Sequence, residues 1–194
     1  MPPILLWDVM GTLVHDPFFV EMPDFFSMSL EELLVVKHPS AWVEFERGER
    51  SEDDFLDVFF ADGRDFDRQA FLGRVRASYR WLPGIEELLA ELHRAGHRMH
   101  AFSNYPVWYR MIEERLRPSR FLDWTFVSCL TGLRKPDPAA YLHALAALGA
   151  APEECLFVDD RVGNCQVARD LGIQSVVFEG VEPLRAFLRE AGLL

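Results

Sequence analysis

The chain has 194 residues, 49% of them hydrophobic and 26% charged, and a formal net charge of -11. A chain of this length buries about seventy per cent of its unfolded surface without disulfide or metal staples, which excludes a disordered chain and a disulfide-dense secreted module and fits one domain, or one domain carrying an insertion. The acidic surface repels phosphate backbones and anionic lipid at long range, so no nucleic-acid or membrane-surface partner is expected, while a small phosphorylated ligand held by a few local donors is still allowed.

The first apolar run, Ile4–Trp7, reads as a buried strand ending at Asp8. It is too short for a signal-peptide core or a bilayer span. From about His15 to Trp81 no buried strand is evident, and helix starts take its place. Ser29 with Glu32, and Ser51 with Asp54, set a capping hydroxyl before an acidic first turn, and Asp67 opens a third helical pattern. Thirteen of the 25 aromatic residues fall in this stretch, including Phe25, Phe26, Trp42, Phe45, Phe59, Phe60 and Trp81, as the core of an all-helical insertion would require.

From residue 82 onward the pattern alternates. Helical stretches run from Pro83 to Gly96, from Pro138 to Gly149 and from Val181 to Gly192, and apolar runs at 99–102, 124–128, 156–158 and 175–178 read as buried strands. Strand, helix, strand repeated in this way predicts an α/β fold, a Rossmann-like parallel sheet with helices on both faces. The expected division is a core of residues 1–14 and 82–194 with a helical cap at 15–81. Cys129, Cys155 and Cys165 are an odd set without a C-x-x-C pair, which predicts buried, reduced thiols of a cytoplasmic protein; a monomer or a homodimer is expected.

In a doubly wound sheet, ligands sit beyond the carboxyl ends of the strands. Asp8 follows the first run, Ser103 and Asn104 the second, Lys135 lies in the loop after the third, and Asp159 and Asp160 follow the fourth. Each alone has a plain structural use: a turn cap, a helix cap, a solvated lysine. Together they bring three carboxylates, a hydroxyl and an ammonium to one rim, and carboxylates so crowded call for a hard cation such as Mg²⁺. The six histidines are scattered, and His93, His97 and His100, around one helix end, suit surface or packing roles.

Asp8 with Gly11 and Thr12, then Ser103, then Lys135 in a KPDP run, then the Asp159–Asp160 pair resemble, in order, the four motifs of the haloacid dehalogenase (HAD) superfamily. The resemblance covers the predicted core, and the helical insertion matches the family's cap placed just after the first motif. It implies a Mg²⁺-dependent phosphatase in which Asp8 attacks phosphorus to form an aspartyl-phosphate. Asp8, the Met10 carbonyl and Asp160 would hold the metal, with Asp159 beside it. Ser103, Asn104 and Lys135 would bind the phosphoryl group of a small phosphorylated metabolite.

One position departs from the pattern. Phosphatases of the superfamily carry an acid–base aspartate two residues after the nucleophile, and here that residue is Met10. A thioether neither donates nor removes a proton. His15 first, then Asp16, are the replacement candidates at the cap hinge. The alternatives are a 2-haloacid dehalogenase-type hydrolase, against which the Asp159–Asp160 pair argues, and a catalytically weak phospho-ligand-binding protein. The D-x-M motif followed by DPF looks like a branch associated with flavin mononucleotide phosphatases.

Overall fold

The computed structural model describes residues 2–194. Strand β1 (Ile4–Trp7) opens the chain, and five helices follow: α1 (Glu21–Phe25), α2 (Leu30–Val36), α3 (Ala41–Glu46), α4 (Glu52–Asp57) and α5 (Arg68–Ser78). The remainder alternates: α6 (Ile85–Arg94), β2 (Met99–Ser103), α7 (Tyr109–Leu116), β3 (Asp123–Val127), α8 (Ser128–Thr131), α9 (Pro138–Leu148), β4 (Cys155–Asp159), α10 (Val162–Asp170), β5 (Gln174–Val177) and α11 (Val181–Glu190).

The five strands form one parallel sheet in the order β3-β2-β1-β4-β5. Every residue of β1, β2 and β4 is buried, the signature of central strands covered on both faces. The two-residue alternation of β1 assigns its side chains to separate cores. Leu5 and Trp7 pack with Leu88, Leu92, Ile112 and Leu188 from α6, α7 and α11. Ile4 and Leu6 pack with Tyr141, Ala144, Cys165 and Ala168 from α9 and α10. The expected α/β architecture is the observed one.

Three of the five helices between β1 and residue 82 start at side-chain caps. Ser29 and Glu32 form a reciprocal capping box, Ser51 Oγ accepts from the Asp54 amide, and Asp67 accepts from the Ala70 amide. Phe26 sits against Phe59, Phe60, Phe66 and Phe71, and Phe45 stacks on Phe55 with ring centroids 4.6 Å apart. Trp108 meets both Phe45 and Phe55, joining this aromatic cluster to the first face of the sheet.

The helical segment leaves and re-enters the sheet at adjacent points. Val14 bridges Trp81 in antiparallel fashion, the His15 amide donates to the Arg80 carbonyl at 3.0 Å, and the Leu82 amide donates to the Leu13 carbonyl at 2.9 Å. Cys155 and Cys165 are buried and Cys129 is half-buried, so one thiol of the three is more open than its apolar setting predicts. His97 Nε2 pairs with the Leu193 carbonyl and His100 Nδ1 with Thr125 Oγ1, both packing roles.

Candidate active site

The strand ends converge as the topology requires. The Asp8 amide donates to the Val158 carbonyl at 2.8 Å, which holds the residue after β1 beside the end of β4. Lys135 reaches the same point from the loop between α8 and α9. That loop is fixed by Asn104, whose side-chain amide donates to the Lys135 carbonyl (2.7 Å) and accepts from its N–H (2.8 Å). The Lys135 ammonium, 1% exposed, donates to Asp8 Oδ1 at 2.8 Å and to Asp159 Oδ2 at 2.6 Å. It also lies about equally far from the rings of Phe102 and Phe157.

Asp159 is fully buried and fully engaged. Besides Lys135 it accepts from the Asn164 side chain and from the Arg161 amide. Asp160 is the more open neighbour of this pair. Its amide donates to Thr12 Oγ1 at 3.1 Å, and its carboxylate crowds Gly11, where an added Cβ would lie 2.9 Å from Oδ2. Gly11 also has φ of +81°, so both the turn and the close approach require glycine. Gly11 and Thr12 thus shape the site around Asp160.

Asp8, Asp159 and Asp160 each offer an oxygen, all within 4.8 Å of one another. Burial drives the Asp8 carboxyl up to about 7, with the Lys135 charge opposing and the Asp159 charge adding to it. Asp160 is raised by burial and then by Asp159. Burial alone would lower Lys135, but Asp8 and Asp159 outweigh it and hold the ammonium charged. Three carboxylates around one ammonium leave an excess of negative charge on hard oxygen donors, a set that fits Mg²⁺. Ser103, at the end of β2, is 2% exposed and its hydroxyl has no hydrogen-bond partner among the described residues. A buried hydroxyl without a partner is what a phosphoryl oxygen would satisfy.

A cavity of about 320 Å³ opens over this rim. Asp8, Met10, Asn104, Lys135, Asp160 and Asn164 line its sheet side, and Asp16, Phe18, Phe19, Trp42 and Glu46 line it from the helical segment. Tyr105, Arg134, Pro136 and Arg161 complete the wall. His15 lies outside this lining, its Nε2 paired with Glu21 Oε2 at 2.8 Å. The neighbouring Asp16 is the one that faces the cavity. Trp42, Glu46 and Tyr105 are among the wall residues that no motif indicates.

The chain belongs to the haloacid dehalogenase-like hydrolases, whose family pattern matches residues 3–172. It is 44% identical over 191 residues to the chloroplast flavin mononucleotide hydrolase 1 of Arabidopsis thaliana, covering 98% of this chain and 78% of that one. It is 27% identical over 154 residues to the sesquiterpene phosphatase astK of Aspergillus oryzae, covering 75% of this chain and 76% of that one. Among solved structures, a HAD family enzyme from Bacteroides thetaiotaomicron in complex with magnesium and inorganic phosphate superposes with a TM-score of 0.77 at 18% identity, over 95% of this chain and 99% of that one. No helix of the described residues is long and apolar enough to cross a membrane.

Proposed function

We propose that this hydrolase is a Mg²⁺-dependent phosphatase that cleaves flavin mononucleotide, or a close ring-bearing phosphomonoester, through an aspartyl-phosphate on Asp8. The observation that carries the reading is the cluster of Asp8, Asp159 and Asp160, the first two bonded to Lys135, beside the partnerless Ser103 hydroxyl. Phosphoryl transfer asks for in-line placement and neutralised equatorial oxygens more than for new covalent chemistry, and these residues supply both.

Asp8 Oδ attacks phosphorus. Lys135 holds the attacking carboxylate in place through Oδ1 and offsets the charge of the phosphoryl oxygens. Ser103 donates to one of those oxygens, and Asn104 fixes the Lys135 backbone. Asn164 and the Arg161 amide hold Asp159 in place beside Lys135. Asp8, Asp160 and the Met10 carbonyl would hold Mg²⁺, with Asp159 beside them, and the metal supplies charge neutralisation at the phosphoryl oxygens.

Flavin mononucleotide as substrate is supported by the Arabidopsis relative and by the cavity wall. Phe18, Phe19, Trp42 and Tyr105 offer aromatic surface to a planar ring, beside the cations of Arg134 and Arg161. Residues 15–81 act as the cap, pivoting where residues 13–15 meet 80–82, and closure over the cavity excludes water from the reacting centre. The free thiols support a reducing, cytoplasmic setting.

The test is release of inorganic phosphate from flavin mononucleotide with Mg²⁺ and with EDTA, beside a chloride-release assay on 2-haloacids. Phosphate release that needs Mg²⁺ is expected. Metal-independent chloride release overturns the reading.

A further inference from the structure

The attack of Asp8 on a phosphate ester leaves one proton without a donor. Flavin mononucleotide is an alkyl ester, and its alkoxide must be protonated as the P–O bond breaks. The water that later attacks the aspartyl-phosphate must in turn lose a proton. Met10 lines the cavity but can do neither.

The ionisable groups of the cavity wall are few, and almost all are already committed. Asp8 and Asp160 are the nucleophile and the metal carboxylate. Lys135 is held between two carboxylates, and the guanidinium groups keep their protons. Glu46 has one oxygen bound by Trp42 Nε1 at 2.7 Å and the other by Arg134 at 2.8 Å. The Tyr105 hydroxyl is tied to that of Tyr79 at 2.7 Å, and burial drives it far above its ordinary value.

Asp16 remains. Its Oδ1 accepts from the Phe18 amide at 2.9 Å, and its Oδ2 has no hydrogen-bond partner among the described residues. It lines the cavity from the helical segment, as Asp8 does from the sheet side. It also follows directly on the His15–Arg80 pairing, which holds this end of the helical segment beside the sheet.

We propose that Asp16 is the general acid–base of this site, a role relocated from the sheet edge to the cap hinge; the proposal rests on the phosphatase reading. In the first step Asp8 Oδ bonds to phosphorus, the ester P–O bond breaks, and its electron pair takes the Asp16 proton to give the free alcohol. In the second, the Asp16 carboxylate removes a proton from water as the water oxygen bonds to phosphorus. The bond to Asp8 then breaks, its carboxylate is restored, hydrogen phosphate leaves, and Asp16 is protonated again.

Burial holds the Asp16 carboxyl above its ordinary value, against the Phe18 amide, Arg161 and His15, and with the Asp160 charge. Tyr79 and Tyr105, the other titratable groups facing it, stay neutral hydroxyls because burial raises both. Asp16 therefore keeps its proton to higher pH than a free aspartate.

The experiment compares two primary alkyl esters, flavin mononucleotide and glycerol phosphate, with 4-nitrophenyl phosphate, whose leaving group needs no proton. Wild type, Asp16→Asn and the double variant Asp16→Asn with Met10→Asp are measured with Mg²⁺ across pH. Asp16→Asn is expected to lower kcat/KM on the alkyl esters by about 10²–10⁴-fold and on the aryl ester by less than about 10-fold. The alkaline fall of the alkyl profile should disappear, and a burst of nitrophenolate equal to the enzyme present should precede slow turnover. Met10→Asp in the same chain should recover at least about tenfold on the alkyl esters. If the asparagine variant does not fold, Asp16→Ser, which keeps an acceptor for the Phe18 amide, takes its place. An equal fall on both ester classes, or none, overturns the role of Asp16 alone. No turnover of any ester by the wild type overturns the phosphatase reading and this role with it.

Discussion

Arg134 reaches from the sheet edge to Glu46 on α3, Nη2 donating to Oε2 at 2.8 Å, and so ties the helical segment to the core across the cavity. Glu46 is buried, its second oxygen is bound by Trp42, and burial raises its carboxyl above the ordinary value despite Arg134. Removing the guanidinium leaves a buried carboxylate with half its partners. Arg134→Ala should therefore lower unfolding free energy by about 1–3 kcal/mol at pH 8. A carboxyl raised in the folded state contributes stability that is full below its unfolded value and is lost as pH rises through the folded one. Losing Arg134 moves Glu46 further up, so the deficit should shrink at pH 5 and widen toward pH 8. Urea denaturation at both values checks this. A deficit independent of pH would mean that water reaches Glu46 once the arginine is gone.

Asp8 predicts a separation of activity from stability. Asp8→Asn keeps an oxygen acceptor for Lys135 but cannot attack phosphorus. Phosphate release should fall by at least about 10⁴-fold. The same change removes one of three crowded carboxylates, which burial and Asp159 penalise. Gaining about 1 kcal/mol would raise Tm by roughly 2–4 °C for a chain of this size. Calorimetry in EDTA is the measurement, and a clear loss of stability would show that Lys135 needs both of its anionic partners.

The sheet was legible because buried parallel strands are continuous apolar runs, and each of the five lies within two residues of its run. The caps at Ser29, Ser51 and Asp67 were legible because capping is local chemistry. The cavity wall was not. His15 and Asp16 are neighbours in one loop, and only Glu21 and the Phe18 amide decide that the histidine turns away while the aspartate turns in. Glu44 and Glu46 look equivalent in α3, yet Glu44 pairs with Arg50 and Glu46 is buried against Arg134. Two residues apart on a helix they point about 200° from each other, and only tertiary placement selects which face meets the site.

The carboxylate cluster predicts a metal response that does not depend on turnover. A ligand bound only by the folded chain stabilises it by about 2.7 kcal/mol at a hundred times its Kd. Mg²⁺ should therefore raise Tm, and EDTA should reverse both the shift and the phosphate release. Asp160→Asn removes the most open of the three carboxylates, so it should raise the Mg²⁺ concentration needed for half-maximal activity and weaken the Tm shift in parallel. Full activity in chelator, or a Tm indifferent to Mg²⁺, would remove the metal from the site.

Phe19 offers the cleanest test of what the cavity selects. It lines the cavity while remaining 50% exposed, so its ring contributes little to the core. It meets Phe18 edge-on at 5.5 Å, and the two together present an aromatic edge to a bound ligand. Trp42 is less suitable for substitution, because it also holds Glu46 and packs on Phe55 and Trp108. Phe19→Ala should leave Tm within about 1 °C, since exposed substitutions away from the core change stability by less than about 0.5 kcal/mol. An aromatic contact worth about 0.5–1.5 kcal/mol corresponds to a rise in KM for flavin mononucleotide of roughly 2–12-fold. Glycerol phosphate, which has no ring to lose contact with, should show no comparable rise. Steady-state kinetics on the two esters decides the matter: an equal change in both KM values would place Phe19 on the path of cap closure, and the ring would then be recognised elsewhere on the wall.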